Sequence, residues 1–148
     1  MNVSSALVPG LARYVPRHVL AAVAGGAAMH NVPVARGFEG VALMLDIAGF
    51  STLTEDFAHE GAAGAERLSA VLDAYFGRMT AIALMHGGDV VDFVGDAMLV
   101  VWETGGGTDL RYTATLAAQC GLAMQHALPE ITARTAVDLR QRTKTLFD

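Results

Sequence analysis

Leu45-Asp46-Ile47-Ala48-Gly49-Phe50-Ser51 and, further along, Phe93-Val94-Gly95-Asp96-Ala97-Met98-Leu99 set the reading of this chain. Each places one aspartate beside a glycine at the edge of an apolar run. Such a run reads as a strand that ends in a turn, with its carboxylate on the rim of a sheet. Two rims carrying one carboxylate each make a candidate metal site.

Working outward, Val41-Ala42-Leu43-Met44-Leu45 is continuously apolar between Gly40 and Asp46, the pattern of a strand buried on both faces. Ser51-Thr52-Leu53-Thr54-Glu55 offers a Ser/Thr cap with an acidic residue in the first turn, so a helix is predicted to begin there. After Gly61 and Gly64, Leu68, Val71, Leu72, Tyr75, Phe76, Met79, Ile82 and Ala83 recur at spacings of three and four. They predict an amphipathic helix that ends near His86-Gly87-Gly88. Residues 89–93 and 97–102 read as two strands joined by a tight turn through Val94-Gly95-Asp96. Gly105-Gly106-Gly107 then breaks the chain. Residues 110–128, with Leu116, Cys120, Met124 and Leu128 along one face, predict a second long helix that Pro129 should end.

Residues 1–38 are rich in Ala, Gly, Val and Pro and read as a leader, with a short helix starting at Pro16-Arg17-His18-Val19-Leu20 and stopped by Gly25-Gly26. Residues 39–128 form the predicted domain, and residues 129–148, polar and basic with weak periodicity, read as a poorly defined tail. The order strand, helix, strand, strand, helix predicts an α+β fold of the ferredoxin-like split βαβ kind. Its third strand inserts between the first and second and runs antiparallel to both. In that topology the end of strand one lies beside the start of strand three, which brings Asp46 to Asp96. Two adjacent carboxylates repel unless a cation sits between them, and a hard divalent ion, Mg²⁺ or Mn²⁺, suits oxygen ligands at a phosphate-handling site. Ala48-Gly49 ahead of the helix adds backbone N–H groups that favour phosphate.

Composition narrows the function. A chain of 148 residues with 53% hydrophobic residues has ample apolar surface for one domain. The longest apolar or small stretch, residues 19–29, falls well short of the ~20 residues that cross a bilayer, so no membrane insertion is expected. No basic n-region precedes an apolar segment, and the single cysteine, Cys120, reads as a small core residue of a cytoplasmic chain. A net charge of −5 and the lack of a Lys/Arg cluster before Arg134 argue against a nucleic-acid surface. His18, His30, His59, His86 and His126 show no metal-ligand spacing; Trp102, Phe93 and the methionines read as core.

With its flanking residues Gly87-Gly88-Asp89-Val90-Val91-Asp92, the second segment pairs with the first to resemble the two metal-binding motifs of class III nucleotidyl cyclases, closest to the bicarbonate-responsive soluble adenylyl cyclase type. The resemblance covers residues 41–102 and extends loosely to 128, the N-terminal portion of the family's catalytic domain. It implies that Asp46 and Asp96 bind two ions, Mg²⁺ or Mn²⁺, with the Ile47 carbonyl as a further ligand. It also implies that the backbone of Ala48, Gly49, Phe50 and Ser51 holds a nucleotide triphosphate. The implied reaction is attack of the ribose 3′-hydroxyl on the α-phosphate with release of pyrophosphate, at a site that a homodimer or a second cyclase domain completes.

The chain also departs from that pattern. Where adenylyl cyclases of this type commonly carry an adenine-reading lysine, this sequence has Asp92; guanylyl cyclases place an acidic residue there, so Asp92 either accepts hydrogen bonds from guanine or marks a half-site that reads no base. The family's ribose-orienting asparagine and charge-stabilising arginine follow further strands, whereas the asparagines here, Asn2 and Asn31, both lie upstream. Arg134, Arg140 and Arg142 lack the family context. The resemblance therefore implies the front part of a cyclase with its sheet unfinished: a domain making cyclic AMP, or cyclic GMP, or a catalytically incomplete nucleotide- and metal-binding module. Gly87-Gly88-Asp89-Val90 differs from the diguanylate cyclase signature, which continues with Glu-Phe.

Overall fold

A computed structural model describes residues 15–24, 35–105, 109–135, 137 and 139–147. The chain divides into two units, Met1–Phe38 and Glu39–Asp148. The first carries helix α1, Arg17–Ala24, which starts behind Pro16; the Pro16 carbonyl accepts from the N–H groups of Val19 and Leu20 at 3.0 and 3.1 Å. The glycine stop expected at Gly25-Gly26 lies outside the described residues.

The second unit runs β1 (Gly40–Ala48), α2 (Phe50–Ala58), α3 (Ala62–Met85), β2 (Asp89–Val94), β3 (Ala97–Glu103), α4 (Leu110–Thr135) and β4 (Arg140–Phe147). The sheet order is β2-β3-β1-β4, antiparallel throughout. β3 lies between β1 and β2 as the split βαβ reading requires, and β4 adds to the other side of β1. The two long helices are the crossovers, α3 from β1 to β2 and α4 from β3 to β4, which completes a ferredoxin-like α+β unit.

The expectation that β1 is buried on both faces is corrected. Val41, Leu43, Leu45 and Ile47 are buried, while Ala42, Asp46 and Ala48 are half-buried and Met44 is exposed. Period-two alternation was hidden because Ala42 and Met44, on the less covered face, are themselves apolar. The buried side meets Val71, Tyr75, Met79, Ile82 and Ala83 of α3 and Ala117, Cys120, Met124, Ala127 and Ile131 of α4, with Met98, Val100 and Trp102 of β3. By length and composition α3 is apolar enough to cross a membrane, at a mean hydropathy of 1.3, although polar residues such as Glu66, Arg67, Asp73 and Arg78 interrupt its apolar runs. Its buried residues are those of a helix packed on a sheet.

Two expectations about the C-terminal part also change. α4 does not stop at Pro129 but continues to Thr135. Proline removes one helical N–H and crowds the preceding turn, at about 3 kcal/mol. Here it lies on the exposed side, while Ala127 and Ile131 on either side of it are buried and hold the helix to the core. Residues expected as a poorly defined tail form β4, paired with β1 from Val41↔Phe147 to Ala48↔Arg140, so the sheet is not left unfinished beside β1. Arg140-Gln141-Arg142-Thr143-Lys144-Thr145 gives no apolar alternation to read, and polar, basic residues are what an outer strand carries to block further pairing.

Candidate functional site

The β1–β3 register sets Asp46 opposite Ala97, and β2–β3 pairing sets Val94 opposite the same residue. Gly95 and Asp96 are thus the two-residue tip of a hairpin, with Gly95 at φ 65°, a conformation that favours glycine. Asp96 stands one residue from the partner of Asp46, so the structure brings both aspartates to one end of the sheet. Asp46 lies within β1 rather than after it, two residues before the strand ends. Both are half-buried. Burial, then the negative charges of Asp46 and Asp96, hold the phenol of Tyr75 far above its ordinary range, which places one core hydroxyl within the field of both carboxylates. Sequence reading treated Tyr75 only as part of an apolar helix face; a hydroxyl at a core-facing position between the two motifs was the available signal.

Gly49, at φ 80° and ψ 24°, turns the chain from β1 into α2, and its carbonyl accepts the Leu53 N–H at 3.0 Å. The helix therefore starts ahead of the predicted Ser51 cap. Ser51 sits in its first turn, no side chain caps that turn, and no acidic residue lies in it. An exposed anion is a natural acceptor for such N-terminal amides. The backbone of Ala48, Gly49, Phe50 and Ser51 thus adjoins Asp46. Ile47 buries its side chain, with its backbone opposite Gln141 of β4, and the same ladder sets Arg142 opposite Asp46.

Asp92 is exposed, and its Oδ1 accepts the Phe93 N–H at 2.8 Å. It pairs with Leu99, two residues from Ala97, so it shares the face of Asp46, opposite Met98 and Val100. An irregularity between Val90 and Asp92 returns Val90 to the core face, opposite Val100, although hairpin parity alone would turn it outward.

Among the described residues no three His, Cys, Asp or Glu side chains gather as a metal site. A cation here would rest on Asp46 and Asp96, with backbone and ligand oxygens completing its shell. That all-oxygen donor set fits Mg²⁺ or Mn²⁺ rather than a softer metal.

Other features lie apart from the two aspartates. A groove of about 760 Å³ between α3 and the end of α4 is lined by Arg67, Asp73, Arg78 and Arg134 among others, without either aspartate. His86 bonds through Nδ1 with the Ile82 carbonyl at 2.8 Å, and its backbone carbonyl accepts from Trp102 Nε1 at 2.9 Å, a structural role. Cys120 is buried, and burial pushes its thiol up to about 11. Trp102, Met79, Met98 and Met124 are core as expected, but Phe93, Met44 and Met85 are exposed.

No family model matches the chain. It is 32% identical over 110 residues to adenylate cyclase type 10 of Mus musculus, across 73% of this chain and 7% of that protein. It is 35% identical over 95 residues to adenylate cyclase type 10 of Homo sapiens, across 63% and 6%. The chain thus spans less than a tenth of the length of these relatives. Among solved structures, the guanylyl cyclase Cya2 matches at 29% identity and a TM-score of 0.60, over 74% of this chain and 55% of that one. The adenylyl cyclase CyaB from P. aeruginosa shares the fold at a TM-score of 0.63 and 24% identity, over 76% and 57%. With paired rims, helix and hairpin in one unit and likeness at both levels, the chain belongs to the class III adenylyl/guanylyl cyclase domain family.

Proposed function

We propose that this segment forms the metal- and triphosphate-holding part of a nucleotidyl cyclase site that converts ATP, or GTP, to the 3′,5′-cyclic nucleotide and pyrophosphate in cyclic nucleotide signalling. The observation that carries the reading is the register Asp46↔Ala97, which sets Asp96 beside Asp46 at the mouth of an uncapped helix. Asp46 and Asp96, with the Ile47 carbonyl, would hold two divalent ions. When bound, those ions would supply charge neutralisation at the attacking and leaving oxygens. The amides of residues 48–51 would orient the triphosphate. The 3′-oxygen attacks the α-phosphorus, the bond from that phosphorus to the bridging oxygen of pyrophosphate breaks, and the hydroxyl proton passes to solvent. A homodimer or a second cyclase domain supplies the remaining groups, in a cytoplasmic protein whose ligands are nucleotides rather than nucleic acid.

Asp92 bears on the base. Guanine offers N–H donors to a carboxylate, so an acceptor on the face shared with Asp46 favours GTP over ATP.

A second reading is a metal- and nucleotide-binding module without turnover of its own. It is favoured by residues 39–148 themselves, which hold no asparagine to orient a ribose. One experiment separates the two: cyclic nucleotide formation by the purified chain with ATP and with GTP in Mn²⁺, with Asp96→Ala as control. Turnover abolished by the substitution supports the cyclase. A folded chain that binds Mn²⁺ and nucleotide without turnover supports the module, and absence of binding refutes both.

A further inference from the structure

α3 is more apolar than its burial explains. Its mean hydropathy is 1.3, yet only 28% of its most apolar stretch is buried. On its less covered side Ala70, Ala74, Gly77 and Ala81 recur at spacings of four and three and line the groove of about 760 Å³ beside the end of α4. Gly77 is the unexplained member of that row. Glycine is the poorest helix former after proline, and a fold retains it where backbones come close or φ is positive. Here φ is not positive and a Cβ would meet nothing within 4 Å, so no neighbour among the described residues calls for it.

A helix laid along that row would complete the burial, and charge selects which helix. Spacings of four and three are those of heptad positions a and d: Ala74 and Ala81 at a, with Ala70, Gly77 and Leu84 at d, a seam about 21 Å long. Side chains this small let two helix axes approach to the short end of packing distances. Arg67, at the preceding a position, is drawn aside by Glu60 and the Phe57 ring, so the seam begins at Ala70. Asp73 then falls at g and Arg78 at e, exposed on opposite flanks of the seam. In a parallel pair, position g of one helix faces position e of the other five residues on, so Asp73 of each copy meets Arg78 of its partner, twice by symmetry. An antiparallel pair would set Asp73 against Asp73 and Arg78 against Arg78. Arg78 already reaches Glu130 at 3.3 Å, but that pair is exposed and weak, and the five donors of a guanidinium can serve both carboxylates.

We propose that the exposed side of α3 docks a second copy of this chain: two protomers pair through parallel α3 helices, seamed from Ala70 to Leu84 around Gly77 and held in register by reciprocal Asp73–Arg78 ion pairs. The proposal goes beyond the cyclase reading and does not depend on it. The groove that the seam occupies includes neither Asp46 nor Asp96, so the contact does not run through the candidate metal site.

Sedimentation equilibrium of the 148-residue chain, from micromolar to millimolar concentration, should show a dimer. Asp73→Arg or Arg78→Asp alone sets like charges across the seam and should raise the dissociation constant at least about tenfold. The two together reverse both charges and should restore it. Gly77→Leu fills the seam while improving helix propensity, and should leave a folded monomer. Gly77→Cys faces its own copy in the parallel register, so mild oxidation should link the dimer, whereas Ser69→Cys, exposed outside the seam, should stay unlinked. A wild-type chain that is monomeric throughout overturns the proposal and leaves the groove to a helix of another protein. A dimer that tolerates both single charge reversals marks a contact elsewhere and overturns it too, as does a double reversal no tighter than the single ones. Should Gly77→Leu fail to fold, the charge reversals, at exposed positions, decide the question alone.

Discussion

The β1–β3 ladder has two ends, and they are built differently. At the end distant from the aspartates, Gly88 N–H donates to the Ala83 carbonyl at 2.9 Å and Trp102 Nε1 to His86 at 2.9 Å. There too the Glu39 carbonyl accepts both the N–H and the hydroxyl of Thr104, at 2.8 and 2.9 Å. A Cβ on Gly88 would come within 2.6 Å of Val100 Cγ1 and 2.7 Å of Trp102 Cζ2, so the chain has closed there to packing distance. At the other end Asp46 and Asp96 share a rim, two glycines take left-handed conformations and α2 begins without a side-chain cap. One end uses its polar groups to seal the fold; the other gathers like charge and leaves helix amides to the solvent side. That asymmetry within a single ladder is what a ligand site mounted on a rigid scaffold requires.

The largest effect should come from Asp46→Asn and Asp96→Asn, which strike only the open end. Mn²⁺ affinity should fall at least a hundredfold, beyond the range seen for residues behind a ligand. A loss of stability in both variants, with Mn²⁺ binding kept, would break the contrast. Next in size is Gly88→Ala at the sealed end. The new methyl meets Val100 and Trp102 inside 3 Å, and overpacking of that kind costs about 1–3 kcal/mol in urea unfolding while Mn²⁺ binding stays as in wild type. Asp92→Asn, at the open end but away from Asp46 and Asp96, should leave Mn²⁺ affinity alone. It should lower any preference for GTP over ATP by about tenfold, in keeping with about 1–3 kcal/mol for a base-edge contact, read by competition binding.

How far the two ends were legible in the sequence follows from the same physics. The hairpin at Gly95-Asp96 and the aspartate-bearing edge of β1 are local patterns, and the strand order needed only the helix between them. The start of α2 was misplaced because Ser51-Thr52 looks like a cap, whereas the left-handed Gly49 does the turning. β4 was missed because an outer strand of Arg, Gln, Thr and Lys shows no apolar period, and Pro129 was overweighted because burial of Ile131 is a tertiary fact. Asp92 could be placed on the Asp46 face only once the β2–β3 register was known, since one residue of slip reverses every face. Tyr75 was hidden in the period that revealed its helix.

The smallest predicted effect tests the core between the two ends. Cys120 lies on α4 beneath the sheet, its thiol held by burial at about 11 against an ordinary value of 9.0. In the unfolded chain the thiol loses its proton near 9, and in the native chain only near 11. Between those values the native state binds more protons, so stability must fall as pH rises through that window and be unaffected by this group below about pH 8. Lysines and tyrosines titrate there too, so the informative quantity is the difference between wild type and Cys120→Ala. Wild type should lose more stability between pH 8.5 and pH 10.5, on top of a pH-independent penalty in the variant for the lost sulfur. Parallel curves would mean that the core at Cys120 admits water. The slope should be the same with and without Mn²⁺, because Cys120 belongs to the packed interior rather than to the end of the ladder where charge is gathered.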